Sequence, residues 1–294
     1  MDKKNFDIDI VVVTKDRYRQ LFKCINNLTN GSIVPSRIIV IDGSLFPKTG
    51  IELSLGKICK SKKVVLTFCF SQKRGTGIQR NIGMSLVTSR FFAFIDDDEY
   101  VPRFWLERVK DLLREKKNFS VFAGPKIPID KSNYWHRVWR TLVENELNYR
   151  GFVDTIPSGN SIYSFGFIKK NNLKFDTRFK RCSEDQAFSL LLRNLKVKIF
   201  FDKNIWVRHD IRRDTKSFIL QWYFYGVNKF RYHHLYLESG YWFELNKYGK
   251  SLMNFQSTFP YLPKKLDLLS VFGILLLNCV FLFGYSLAFF SLTD

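Results

Sequence analysis

Four short apolar runs constrain the fold of this chain more than any other feature, because each stops at a polar turn and leads into helical spacing. "IDIVVVTKDR" (8–17) is β-branched up to its turn, and Tyr18 to Leu28 then places Leu21, Ile25 and Leu28 on one helical face. "RIIVIDGS" (37–44) ends on Asp42 and Gly43, and "KVVLTFCF" (63–70) leads through a glycine-containing loop to a helix expected from about Gln79 to Thr88. "FFAFID" (91–96) precedes "VPRFWLERVKDLLREK", whose Pro102 suits a first helical turn and whose apolar stripe suits a core-facing helix. Strands alternating with helices predict an α/β domain with a mostly parallel sheet. Ligands of such sheets bind beyond the carboxyl ends of the strands, where Asp16, Asp42 and the run Asp96 to Glu99 all fall. Carboxylates placed there are expected to share one crevice without being buried in apolar packing.

Asp96 and Asp98 point to the same side if the chain stays extended, and close carboxylates repel unless a cation lies between them. Magnesium or manganese, completing its shell with phosphate oxygens and water, suits such a pair. A solvated acidic turn capping the next helix is the competing account. The glycines of "RGTGIQRNIG" (74–83) give neither a dinucleotide fingerprint nor a phosphate-binding loop, so they predict only a tight turn entering a helix. "RCSEDQAFSLLLRNL" (181–195) predicts a helix with Ser183 as N-cap, where Glu184 and Asp185 favour the helix dipole.

"VVVTKDR", "VIDGS", "GTGIQRNIG", "FAFIDDDEYVPRFWL" and "CSEDQAF" occur in the order and approximate spacing that resemble the family 2 glycosyltransferases, over about residues 8–230. The resemblance implies a GT-A fold, with a Rossmann-like, mostly parallel central sheet flanked by helices, here followed by a C-terminal hydrophobic helix. It implies a metal-dependent, inverting enzyme using a nucleotide-sugar donor, with a UDP-sugar favoured, and Mg2+ or Mn2+. Asp96 then reaches the ribose and also the metal, Asp98 holds the metal, and Asp97 is the variable middle residue on the donor side. Thr14 and Asp16 line the base, Asp42 bonds base or ribose, and Arg80 and Asn81 stand beside the nucleotide. Asp185 is the catalytic base and Glu184 orients the acceptor. Gly159 and Asn160 of "IPSGNSIYS" (156–164) line the acceptor and donor-sugar pocket, or simply form a turn entering a strand. His209 in "VRHDIRR" (207–213) is a further metal-side candidate, or a structural histidine.

Lys and Arg number 47 against 27 Asp and Glu, and the resulting charge of +20 calls for anionic partners. A non-enzymatic nucleic-acid or membrane-binding protein is one alternative, but the acidic clusters argue against it and no nucleic acid is expected; a metal-dependent nucleotidyltransferase is another. Five cysteines without a CxxC pair predict neither a disulfide framework nor a zinc site. Met1 to Asp9 is too polar for a signal peptide. Residues 268–292 carry no charge, which at about 1.5 Å per residue is long enough to cross a roughly 30 Å hydrocarbon core. Lys264 and Lys265 just before it predict a catalytic domain on the cytoplasmic side of the cell membrane. The expected division is a catalytic domain over 1–215, an aromatic and basic membrane-proximal region over 216–265, and a transmembrane or anchoring helix over 266–294. Membrane lipid is thus an expected partner beside a glycan or lipid-linked acceptor in cell-surface polysaccharide or glycoconjugate synthesis.

Overall fold

The computed structural model describes residues 5–236 and 268–291. Strand β1 (Asn5–Thr14) leads through α1 (Tyr18–Thr29) to β2 (Val34–Asp42), then α2 (Ile51–Ser61), β3 (Val65–Phe70), α3 (Thr76–Ser85) and β4 (Phe91–Phe94). The first four strands are mutually parallel in the order β3-β2-β1-β4, as alternating βα units require. Helix α3 starts three residues earlier than its apolar spacing suggests, because Gly75 adopts a positive φ of 133° immediately before it.

Side chains of β1 alternate between two cores, as a strand covered on both faces must. Ile8, Ile10 and Val12 meet Leu21 and Ile25 of α1 and Leu55 of α2. The same core contains Trp105 and Val109 of α4 (Trp105–Glu115). Val11 and Val13 face the opposite way, towards Met84 of α3 and Phe188 and Leu192 of α7 (Glu184–Asn194). Pro102 precedes α4 rather than opening it, and its carbonyl accepts the Trp105 amide at 2.9 Å.

The sheet continues beyond β4 with a change of direction. Strand β9 (Ser161–Ser164) runs antiparallel between β4 and β6 (Val121–Ala123), followed by β10 (Ile199–Asp202) and the edge strand β8 (Arg150–Val153). A second sheet forms over the carboxyl end of β4 from β5 (Glu99–Tyr100), β11 (Val207–His209) and β7 (Lys126–Pro128). It brings residues from three distant parts of the chain beside the acidic run.

Helix α5 (Tyr134–Leu142), α8 (Thr215–Tyr236) and the C-terminal α9 (Leu268–Phe290) pack into a separate apolar layer through Trp135, Val138, Phe218, Trp222 and Leu277. Helix α6 (Phe165–Lys170) follows β9 directly. The expected membrane-proximal region thus begins as α8, whereas its remainder over 237–265, with Lys264 and Lys265, lies outside the described residues.

Candidate active site

Ile95 still follows the parallel register, its amide donating to the Val11 carbonyl at 3.1 Å, but the chain then folds back as Glu99 N donates to Asp96 O at 2.9 Å. This turn corrects the expectation that Asp96 and Asp98 project together from an extended strand. Their carboxylates have separate partners. Asp96 meets Arg80 at 2.9 Å and Lys126 at 3.1 Å, while Asp98 pairs with Arg17 and faces His209 Nε2 at 3.5 Å.

The expectation that these carboxylates escape burial is also corrected, since Asp97 and Glu99 are completely inaccessible. Buried charge is tolerated only when paired, and the structure supplies the cations. Asp97 accepts from Thr14 Oγ1 at 2.6 Å and pairs with Arg17 at 2.5 Å, whereas Glu99 pairs with Lys126 at 2.5 Å. Burial opposes ionisation of Asp96, but Lys126 and Arg80 overcome it and hold its carboxyl below the usual range. Asp97 goes the other way: burial raises it, and Arg17 offsets that only in part.

Arg80 connects this turn to the start of α7. Its guanidinium lies 5.8 Å from the Phe94 ring centroid and 5.7 Å from that of Phe175, with one nitrogen on Asp96 and another on Glu184. The neighbouring Asn81 amide donates to Phe175 O at 2.9 Å and accepts Phe175 N at 2.8 Å, locking one wall of that sandwich to α3. Both ends of Asn81 therefore serve the backbone.

Ser183 occupies the N-cap position of α7, but its side chain makes no cap hydrogen bond. The expected cap needs extended backbone, and Ser183 has a left-handed φ of 74° that turns its hydroxyl away. Asp185 is half-buried; one oxygen accepts Gln186 N at 2.8 Å, and the other has no hydrogen-bond partner among the described residues. Burial and the adjacent Glu184 push its carboxyl up to about 6, with Arg80 acting against them. A carboxylate with one free oxygen and this pKa suits proton abstraction near neutral pH.

The first two strand ends form a hydrogen-bonded unit of their own. Asp42 is fully buried and accepts Tyr18 Oη at 2.8 Å, Ser44 N at 2.9 Å and Ser44 Oγ at 2.5 Å. Asp16 is exposed with φ 56°, and its amide donates to Ser44 Oγ at 2.8 Å. Thr14 directs its hydroxyl to Asp97, so it joins the acidic turn rather than an open surface.

Gly159 lies against the centre of the cluster. A Cβ there would come within 2.5 Å of Asp96 Oδ2 and 2.6 Å of Lys126 Nζ, so only glycine leaves that ion pair in place. Asn160 is buried with φ 51°, donating to Pro125 O and Ile205 O and accepting Trp105 Nε1 at 3.1 Å. It ties the loop to the scaffold. His209 stands over the acidic turn from β11, and its Nδ1 is buried without a hydrogen-bond partner among the described residues.

Among the described residues, no three His, Cys, Asp or Glu side chains converge as a ready-made cation cage. Asp98 and His209 nevertheless fit one end of a magnesium or manganese shell, whose other positions phosphate oxygens and water can fill. Asp96 fits less well, because both of its oxygens engage cationic side chains.

Sequence reasoning missed Arg17, Glu99 and Lys126. Arg17 stands at the end of "VVVTKDR", one position beyond the last residue given a role, and Glu99 ends the acidic run itself. Lys126 carries no local signal, since only the pairing of β7 with β11 brings it to the carboxylates.

Residues 9–173 match the family described as Glycosyl transferase family 2. The chain belongs to that family. Its fold agrees with solved relatives of low sequence identity. The crystal structure of S. aureus TarS 1-349 in complex with UDP-GlcNAc superposes with a TM-score of 0.57 at 16% identity, covering 76% of this chain and 66% of that one. TarS 1-349 in complex with UDP gives 0.56 at 15% identity, covering 96% and 90%. Against the crystal structure of S. aureus TarS, the TM-score is 0.54 at 17% identity, and this family 2 chain, 76% of it matched, spans 39% of that chain's length. No curated protein matches the sequence.

Proposed function

We propose that this glycosyltransferase transfers a sugar from a nucleotide-sugar donor to a glycan or lipid-linked acceptor with inversion at the anomeric carbon. The observation carrying this reading is Arg80, whose two-sided pairing joins the acidic turn to the helix start bearing Asp185. A base and a leaving-group end thereby flank one short stretch of the molecule. A UDP-sugar is the favoured donor because the TarS relative is recorded with UDP-GlcNAc.

Asp185 accepts the proton of the acceptor hydroxyl through its free oxygen as that hydroxyl attacks, a contribution of about 100-fold to 10,000-fold in typical cases. Glu184 and Arg80 keep the start of α7 in register with the acidic turn. Asp96 serves the donor ribose, Asp98 and His209 the diphosphate side and Asp16 the base, while Thr14, Asp42, Arg80 and Asn81 hold the nucleotide wall in place from behind. Mg2+ or Mn2+ held by Asp98 and His209 supplies, when bound, positive charge for the departing diphosphate. Gly159 lets its loop pack against the Asp96–Lys126 pair and so holds the donor-sugar side of the acidic turn in place. The enzyme works on surface polysaccharide or glycoconjugate precursors at the cytoplasmic face of the cell membrane.

The test uses membranes carrying wild type or Asp185→Asn, a panel of nucleotide sugars, magnesium or manganese, and a lipid extract. Nucleoside diphosphate release with one donor, lost in Asp185→Asn, is the expected result. Pyrophosphate release from nucleoside triphosphate and sugar phosphate would instead identify a nucleotidyltransferase.

A further inference from the structure

Helix α9 has 23 residues, a mean hydropathy of 2.2 in its most apolar window, and only 22% of that window buried. By length it can cross a bilayer, but its seating restricts how. α9 runs alongside α8 in the same direction, as successive contacts show. Leu277 packs with Trp222, and a Cβ on Gly226 would strike the backbone of Phe281 and Tyr285. His233 Nδ1 lies 3.0 Å from Tyr285 Oη, and the Phe230 ring lies 5.9 Å from that of Phe289. At the near end, Tyr134 Oη donates to Leu269 O at 2.8 Å.

α8 is also fastened along its length to the catalytic domain. Thr215 accepts Trp135 Nε1 at 3.0 Å, Phe224 O accepts Cys182 Sγ at 3.5 Å, Lys229 reaches Gln186 at 3.0 Å, and Tyr236 donates to Asp176 at 2.6 Å. If α9 stood upright in hydrocarbon, α8 and this polar flank, including Arg178 at 55% exposure, would enter with it. Charged groups at membrane depth cost several kcal/mol each, so this arrangement is excluded while the packing holds. One stripe of α9, including Phe272, Cys279, Phe283 and Phe290, is left facing outward.

We propose that α9 lies in the plane of the membrane, with this stripe immersed in an anionic bilayer surface. The net charge of +20 supplies the complementary attraction. Asp185 neighbours Gln186, which Lys229 of α8 reaches at 3.0 Å, so the path from the immersed stripe to the base crosses α9 and α8, roughly two helix diameters or about 20 Å. A membrane-anchored acceptor reaches it when its glycan extends that far from the surface. This deepens the membrane part of the proposed function.

Phe272, Cys279 and Phe290 recur at 7 and 11 residues and share one helical line, so they report orientation directly. In the full chain with Cys69 and Cys182 replaced by Ser, nitroxides are attached singly at Cys279, and at Phe272→Cys or Phe290→Cys in chains also carrying Cys279→Ser. Their depth is read by power-saturation electron paramagnetic resonance in vesicles of phosphatidylglycerol and phosphatidylcholine. Equal, shallow immersion at about 5–10 Å for all three is expected. A profile deepest at Cys279 and shallow at both ends would mean a span and overturn the proposal. Vesicle binding without immersion at any site would mean that another surface carries the protein, and would also overturn it. No vesicle binding would remove the membrane reading itself, whereas transfer to a soluble acceptor would test the chemistry separately. Phe283→Glu is expected to weaken vesicle partition roughly tenfold or more while leaving that transfer unchanged.

Discussion

Replacing Arg80 by Gln tests the central electrostatic argument. Arg80 and Glu184 side chains are each 4% exposed and Asp96 is 20% exposed, so the variant leaves two carboxylates poorly solvated and short of a counterion. Removing one member of a buried pair costs about 3–5 kcal/mol. Loss of the guanidinium between Phe94 and Phe175 acts in the same direction. For a domain of this size, each kcal/mol lowers the melting temperature by about 2–4 °C, giving an expected drop of about 6–20 °C. Urea unfolding of the detergent-solubilised full chain, followed by far-ultraviolet circular dichroism, measures the free energy. The double variant Arg80→Gln, Glu184→Gln should recover part of the loss, because one stranded charge is gone. A single-variant loss below about 1 kcal/mol, or no recovery in the double variant, would refute the reasoning.

Two further outcomes concern the reaction. Because burial and Glu184 raise Asp185 to about 6, its ionised, base-competent form is lost as pH falls through that value; kcat/KM should decline about tenfold per pH unit below it, whereas an acid limb near 4 would contradict the assignment. Gly159→Ala forces a methyl group against Asp96 and Lys126, so kcat/KM should fall about 100-fold with the far-ultraviolet spectrum preserved, and wild-type turnover would show that the cluster tolerates displacement.

The parallel half of the sheet was legible because each strand carries its own signal and leads directly into its helix. β1 and β2 are β-branched, and their turns carry Asp16, Asp42 and Gly43 where the chain leaves the sheet. The second half was not, since β6, β7 and β11 have three residues each and are defined by pairing rather than composition. The same difference divides the site. Asp96 to Glu99 stand out as a run, but the turn that separates their carboxylates depends on Glu99 accepting the Asp96 amide and meeting Lys126. Ser183 has the right residue type for a cap, and only its backbone angle reveals that it does not act as one.

The acidic turn also sets an order on biosynthesis. Its four carboxylates emerge from the ribosome with Arg17 and Arg80 already made, whereas Lys126, Glu184 and His209 follow later. Domains fold from the N-terminus as they are synthesised, so the parallel half can assemble while Glu99 still lacks its lysine. Until β7 and β11 close over it, this end of the nascent sheet must remain wet. The drying of the active site therefore waits for residues made more than a hundred positions after the acidic turn.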